Sequence, residues 1–306
     1  MEKISIIIPV YNSSQYLKDA LDSVVQQELS NYEIIIIDDG STEEEHNKYQ
    51  LIIDSFNETL LFTKKNGGAA SARNLGAQKA TGNILAFLDS DDIWLPGKLA
   101  SQLKIMNEEK ADLVLGNILV ANHNLNVKYK AKKTLPAEFK KCMEDFFYGK
   151  ILMNTPTIIV RKSFFERMNG FCELLKYRED HYFLINSAAE GKIALDDKFL
   201  TIRRERENSL SMVSDINAEV SKHAKFWELI SNKYGFLNIR KAKIILFIRL
   251  YVYYIRNNRT RDLSGTLKYI KLESTVLYFI LKPAQYFGLP VKILFNLRGA
   301  LRRAFK

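Results

Sequence analysis

In ILAFLDSDDIWLPGKL, residues 84–99, an apolar run that reads as a buried strand ends on Asp89, Asp91 and Asp92. Like charges this close raise one another's pKa unless something positive shares the site. A divalent metal or a helix N-terminus could supply that charge, and a plain surface turn would also tolerate the three acids. Asp89 and Asp91 lie two apart, so both can reach one hard cation or one diphosphate–metal complex. Mg2+ and Mn2+ take oxygen ligands and can complete their shells with phosphate oxygens and water. The plainer reading is a turn in which Asp92 caps a helix starting at Pro96. A second acidic strand end, Asp38–Asp39 in YEIIIIDDGS (32–41), offers acceptors for a nucleotide's base N–H or ribose hydroxyls. As an Asp39-Gly40 pair it also makes an ordinary turn.

Alternating elements position these acids. KISIIIPVYN (3–12), YEIIIIDDGS, TLLFTKK (59–65) and NILAFLD (83–89) read as strands. Between them lie helical segments: SQYLKDALDSVVQQ (14–27), capped by Ser13 or Ser14; 43–56, with an acidic first turn suited to the helix dipole; and the small-residue stretch GGAASARNLGAQKATG (67–82). Fully apolar strands alternating with helices predict an α/β fold with a mostly parallel central sheet flanked by helices. In such sheets ligands collect beyond the carboxyl ends of the strands, where Asp38, Asp39 and the 89–92 cluster fall. A further strand is expected in ADLVLGNILVAN (111–122). Residues 123–150, polar and basic, read as a flexible insertion. Then come a strand and helix in PTIIVRKSFFERMNGF (156–171), a helix in YREDHYFLINSAAEG (177–191), a strand in KIALDDKFLTIRRE (192–205) and a loop at RENSLS (206–211).

Composition narrows the classes. The 306 residues are 47% apolar and 26% charged, with 14 Gly and 6 Pro, so the chain is globular rather than low-complexity. Cys142 and Cys172 amount to neither a metal cluster nor a disulfide framework and point to a reducing compartment. MEKISIIIPVYN has too short an apolar run for a signal peptide. Strand 1 lacks a following G-x-G-x-x-G, and no P-loop occurs, which argues against a dinucleotide or P-loop nucleotide site. His46, His123, His181 and His223 are scattered without metal-ligand spacing and are expected at the surface or in packing.

Five motifs in order carry a resemblance: IIIPVYN, IIIIDDGSTE (35–44), NGGAASARNLGA (66–77), ILAFLDSDDIWLP (84–96) and YREDHYF (177–183). Together they resemble the inverting GT-A glycosyltransferases of family 2, over about residues 3–210. The resemblance implies a nucleoside-diphosphate sugar donor, often a UDP-sugar, with Mn2+ or Mg2+ as cofactor. It implies that Pro9 and Tyr11 line the uridine pocket, Asp39 faces the base, and Asn66, Gly67 and Arg73 lie near the nucleotide. Asp89 would contact the ribose side, and Asp91, with Asp89, would take the metal bridging the diphosphate. Asp180, with Glu179 beside it, would be the general base. Many members carry a His-containing loop after the last sheet strand. Here Arg206 stands roughly where that His falls, with Ser209 and Ser211 matching its serines, so Arg204 or Arg206 is expected at the diphosphate. On this reading residues 1–214 form the catalytic domain, with a nucleotide-sugar half to about 112 and an acceptor half from about 113. Residues 215–306 form a C-terminal helical region. The rival functions are a non-catalytic nucleotide-sugar-binding or scaffold protein and a nucleotidyltransferase.

The net charge of +10 is concentrated in that last region. Between Asn238 and Lys306 fifteen Lys or Arg meet only Asp262 and Glu273, interleaved with aromatic and aliphatic residues. No module signature for nucleic acid occurs, and no apolar run is long enough to span a bilayer. Amphipathic helices on an anionic membrane surface suit this pattern, as does a helical cap packed on the catalytic domain or on a second copy of the chain. The expected setting is cytoplasmic and peripheral on the inner face of the plasma membrane, with a glycan or lipid-linked glycan as acceptor.

Overall fold

The computed structural model describes residues 2–206, 215–257 and 259–282. The chain divides into two compact units, Met1–Leu210 and Ser211–Lys306.

The first unit is built on β1 (Ile4–Val10), α1 (Ser14–Val25), β2 (Tyr32–Asp38), α2 (Glu43–Ile53), β3 (Thr59–Thr63), α3 (Ala69–Lys79), β4 (Ile84–Phe87), β5 (Ile93–Trp94) and α4 (Lys98–Glu108). It continues through β6 (Leu113–Ala121), β7 (Val127–Ala131), α5 (Phe139–Phe147), β8 (Ile159–Arg161), α6 (Lys162–Arg167), α7 (Glu179–Glu190) and β9 (Ile193–Arg204). Eight strands run in the order β3-β2-β1-β4-β8-β6-β9-β5, and β7 adds to β6. The strands β1, β2, β3 and β4 are parallel, as their continuous apolar runs predict. Beyond β4 the sheet is mixed. The strand β8 runs antiparallel to both β4 and β6, while β6 and β9 are parallel.

Register sets where the acids emerge. Val10 pairs with Asp38 and Asp38 with Thr63, while Ile7 pairs with Phe87. Asp38, Asp39 and Asp89 therefore leave the sheet at one edge. Helix α3 lies close over this half because Gly76 has no side chain: a Cβ there would collide with Ile7, and Ile37 is next to it. Ile6, Ile8, Leu17, Leu21, Ile34, Ile36, Trp94 and Leu99 fill the core on the other face.

Four sequence expectations change. Residues 123–150 are not a flexible insertion: they contain β7, which pairs antiparallel with β6, and α5, whose Cys142, Met143, Phe146 and Phe147 are buried one helical turn apart. Ser13 occupies the N-cap position of α1 without capping it. Its hydroxyl meets Ser90 Oγ at 3.0 Å, and the first-turn N–H of Ser14 is taken by the Glu45 carboxylate of α2 at 2.9 Å. The helix after Pro96 starts at Lys98, and Asp92 does not cap it. Last, the two-residue β5 was not foreseen. It is held by the fully buried Trp94, whose indole N–H donates to the Pro156 carbonyl at 2.8 Å and whose backbone N–H donates to Ser23 Oγ at 3.2 Å.

The second unit contains α8 (Ile216–Lys233), α9 (Ile239–Arg256), α10 (Thr260–Glu273) and α11 (Thr275–Leu281). Ile244, Phe247, Leu250, Tyr251 and Tyr254 recur at helical spacing on α9 and pack with Leu263, Leu267, Ile270, Leu277 and Leu281. Much of the apolar content of the basic region is thus used in its own core. Phe236 and Leu272 remain exposed. Among the described residues no helix is long and apolar enough to cross a membrane.

Candidate active site

The crevice begins at the sheet edge. Tyr11, just past β1, is 55% exposed, so its ring face is open to a planar ligand. Pro9 beside it is half-buried. Asn12 Oδ1 accepts from Thr42 N at 3.0 Å, tying the loop after β1 to the loop after β2. Asp38 faces inward, with Oδ2 at 2.8 Å from His46 Nδ1 and Oδ1 accepting from Ser41 N. Asp39 organises the glycine loop: Oδ1 accepts from Lys64 Nζ at 2.8 Å and Gly67 N at 2.9 Å, and Oδ2 from Gly68 N at 2.7 Å. Gly68 has φ +90° with open space around it, so glycine serves backbone conformation there rather than room. Asn66 and Gly67 are exposed at the same rim, but the Gly67 N–H is already taken by Asp39.

Arg73 is the centre of the site. Its guanidinium is 5% exposed and bridges two carboxylates, with Nη2 at 2.6 Å from Asp89 Oδ1 and Nη1 at 2.9 Å from Glu179 Oε1. Burial pulls its pKa down, but Asp89 and Glu179 more than offset this and the net shift is upward. The neighbouring Asn74 makes a two-way amide bridge to Phe171, accepting its N–H at 2.9 Å and donating to its carbonyl at 2.8 Å. The ARN sequence therefore joins the strand-end half of the unit to the loop and helix that carry Glu179 and Asp180. Beneath the joint Phe87, Phe165, Phe171 and Phe183 pack with centroids 5.0–5.5 Å apart, and Phe183 anchors the first turn of α7.

The other two acids of the cluster face β9. Because β5 pairs antiparallel with β9 (Ile93↔Ile202), the end of β9 is brought beside Asp91 and Asp92. Asp91 Oδ2 and Arg206 Nε form an ion pair at 2.6 Å. Asp92 Oδ1 accepts from Arg204 N at 2.9 Å, which is what occupies this carboxylate in place of a helix cap. Burial and then Asp89 push the Asp91 pKa up, with Arg206 and Arg204 opposing; burial, Asp91 and Asp89 push Asp92 well above the usual range. Arg204, expected at the diphosphate, is spent on the scaffold. Its guanidinium donates to the Asp91 and His123 carbonyls and pairs with Asp19 Oδ2 at 2.7 Å. Arg206 is the more accessible of the two, with a third of its side chain exposed. Both stack near the Tyr16 ring, at 4.9 and 5.4 Å. Ser209 and Ser211 lie outside the described residues.

Glu179 and Asp180 open α7, as expected, where carboxylates suit the helix dipole. They behave differently. Burial and the Asp180 charge raise the Glu179 pKa, with Arg73 opposing. For Asp180 burial acts upward too, but the charge and hydrogen bonds of His181, with Arg73 behind, outweigh it and hold the group at about 2. His181 is therefore not a packing residue. Its adjacency to the ED pair is the signal the sequence carries for it.

Among the described residues no three His, Cys, Asp or Glu side chains gather into a metal cage. Asp89 Oδ1 already faces Arg73 and Asp91 Oδ2 faces Arg206, so a cation completed by its substrate would have to be held by these two acids' remaining oxygens or displace an arginine. Asp89 and Asp91 offer hard oxygen, and the mutual repulsion within the 89–92 cluster would be relieved by one more positive charge.

The family model described as Glycosyl transferase family 2 matches residues 5–168. The chain belongs to glycosyl transferase family 2. Relatives include an uncharacterized glycosyltransferase of Rickettsia felis, 34% identical over 207 residues that cover 65% of this chain and 32% of that protein. The UDP-Glc:alpha-D-GlcNAc-diphosphoundecaprenol beta-1,3-glucosyltransferase WfgD of Escherichia coli is 29% identical over 196 residues, 62% of this chain and 72% of that protein. The match to the Rickettsia protein thus spans about a third of its length. Among solved structures, S. aureus TarS 1-349 in complex with UDP-GlcNAc superposes with a TM-score of 0.61 at 20% identity, covering 89% of this chain and 82% of that one. The mixed sheet flanked by helices and followed by C-terminal helices is the GT-A arrangement expected for family 2.

Proposed function

We propose that this family 2 chain transfers a hexose-type sugar, with inversion, from a nucleoside-diphosphate sugar to a hydroxyl of a glycan or lipid-linked glycan in surface polysaccharide synthesis. The observation that carries the reading is the Arg73 bridge, which places the strand-end acid Asp89 and the α7 pair Glu179–Asp180 around one guanidinium. UDP-glucose in the name of WfgD and UDP-GlcNAc bound to TarS support a UDP-sugar donor and suggest the two donors to try first.

In this scheme Tyr11 and Pro9 form the floor for the base, and the loop ordered by Asp39 frames it. Asp91 and Asp89 would hold Mn2+ or Mg2+, which supplies charge neutralisation for the departing diphosphate. Arg206, which pairs with Asp91 at 2.6 Å and is a third exposed, would be the guanidinium that meets the diphosphate. Asp180 takes the proton of the acceptor hydroxyl as that oxygen bonds to the anomeric carbon and the carbon–diphosphate bond breaks. Inversion is taken from the family resemblance: a single displacement needs no covalent sugar intermediate. Chelation is expected to abolish release of nucleoside diphosphate and added Mn2+ or Mg2+ to restore it. Asp91→Asn should weaken metal-dependent donor binding in calorimetry. Turnover indifferent to chelator would remove the metal from the scheme.

We also propose that the basic region holds the enzyme at an anionic membrane surface, or against a second copy of the chain, near its acceptor. Each Lys or Arg near such a surface contributes about 1 kcal/mol within a Debye length, so several together suffice without a span. Full-length protein should float with anionic vesicles at low salt, release partly at high salt, and ignore neutral vesicles. Failure to bind anionic vesicles at low salt would leave the region as packing or oligomerisation structure.

A further inference from the structure

Oδ1 of Asp180 accepts two hydrogen bonds from His181, one from the backbone N–H at 2.7 Å and one from Nδ1 at 2.9 Å. An ionised carboxylate only accepts, so its charge assigns the proton to Nδ1. With both donors on Oδ1 the carboxylate cannot turn freely, and among the described residues Oδ2 accepts no hydrogen bond. Each of the two side chains is 16% exposed, so the pair is screened far less than a surface ion pair.

Other charged groups stand on the elements around it: Arg178 precedes α7, and α5 carries the Lys141–Asp145 pair. Glu179, on the same helix, is neutralised by Arg73 from α3, which reaches Asp89 with its other arm. From α5, packed against α7, the buried side chains include one titratable group, Cys142. Burial pushes that thiol up to about 11, so it is uncharged. Arg73 favours the ionised form of Asp180, and so does His181 when protonated.

We propose that His181 is the positioning residue of the base: its imidazole pins Asp180 Oδ1 so that Oδ2 is presented to the acceptor hydroxyl. This rests on Asp180 being the base. The balance is simple. The hydroxyl proton moves to Oδ2, its oxygen bonds to the anomeric carbon, and the electron pair of the broken bond leaves on the diphosphate. His181 keeps its own proton throughout. A carboxylate held at about 2 is a weak base, yet the hydroxyl becomes acidic as the new bond forms, so full ionisation matters more than basicity.

The test compares His181→Phe, His181→Asn and Asp180→Asn in the full chain, reading UDP release from UDP-glucose or UDP-GlcNAc across pH. His181→Phe is expected to lose roughly 10- to 100-fold in kcat, with donor KM within about twofold and the acidic limb moved up by about one pH unit. His181→Asn, whose amide N–H can reach Oδ1, should recover about tenfold of that rate at neutral pH while keeping the displaced limb, because it restores the hydrogen bond without the charge. Wild-type kcat and an unmoved limb in His181→Phe, with Asp180→Asn inactive, would overturn the positioning role and leave the base in place. Equal losses in both His181 variants with raised donor KM and a lowered melting temperature would make His181 merely structural. Near-normal turnover in Asp180→Asn would instead overturn the base assignment, and the positioning role with it.

Discussion

Asp180→Asn should suppress sugar transfer by about 10²-fold or more while donor binding stays within about twofold. The amide has the shape of the carboxylate, and its oxygen can still accept the His181 donors that fix Asp180 Oδ1 at 2.7 and 2.9 Å. What it cannot do is take a proton. The Asp180 charge is favoured by His181, with Arg73 behind, so Asp180→Asn gives up some stability and should lower the melting temperature modestly. A rate loss far larger than that change explains, with calorimetric donor affinity intact, isolates the chemical step. Transfer near the wild-type rate would place the base elsewhere.

Arg73→Met should be the most damaging substitution for stability in the site. Its guanidinium is buried and holds Asp89 at 2.6 Å and Glu179 at 2.9 Å. Deleting one member of a buried ion pair strands the others, at a typical cost of about 3–5 kcal/mol. Asp89 keeps 29% of its side chain in water, which favours the lower end of that range. For a unit of this size about 3 kcal/mol lowers the melting temperature by roughly 10 °C. Arg73→Lys cannot fork to both acids and should fall between. Adding Glu179→Gln to Arg73→Met should recover part of the loss, since one stranded charge disappears. An unchanged melting temperature in Arg73→Met would mean that the bridge contributes nothing net.

The legible parts of the fold were those written in local pattern. The apolar runs of β1, β2 and β4 announced buried parallel strands, and the acids closing β2 and following β4 marked the ligand-binding edge before any contact was known. Parallel register then did the rest, because it aligns strand ends. The less legible parts depend on pairings distant in sequence. Two residues of β5 carry no periodicity, yet their pairing with β9 brings Arg204 and Arg206 to acids more than a hundred positions earlier. Strand β7 alternates Lys with apolar residues and is mostly exposed, so its pattern resembles a loop. In α5 the buried positions are diluted by Lys140, Lys141, Glu144 and Asp145. Arg73 lies in a helix of small residues whose sequence gives no hint that one side chain crosses to α7. His181 has no metal-ligand spacing, and its contact with Asp180 depends on the local fold at the start of α7.

The most direct test of transfer from a nucleotide sugar is a donor panel. Purified full-length chain with Mn2+ or Mg2+ would be given UDP-glucose, UDP-GlcNAc and other nucleoside-diphosphate sugars, with lipid-linked glycan acceptor, and free nucleoside diphosphate measured against Asp180→Asn. The account predicts release of nucleoside diphosphate with at least one donor, lost in the variant, with the sugar recovered on the acceptor in inverted configuration. Release indistinguishable from Asp180→Asn with every donor, or pyrophosphate released from a nucleoside triphosphate instead, would contradict it.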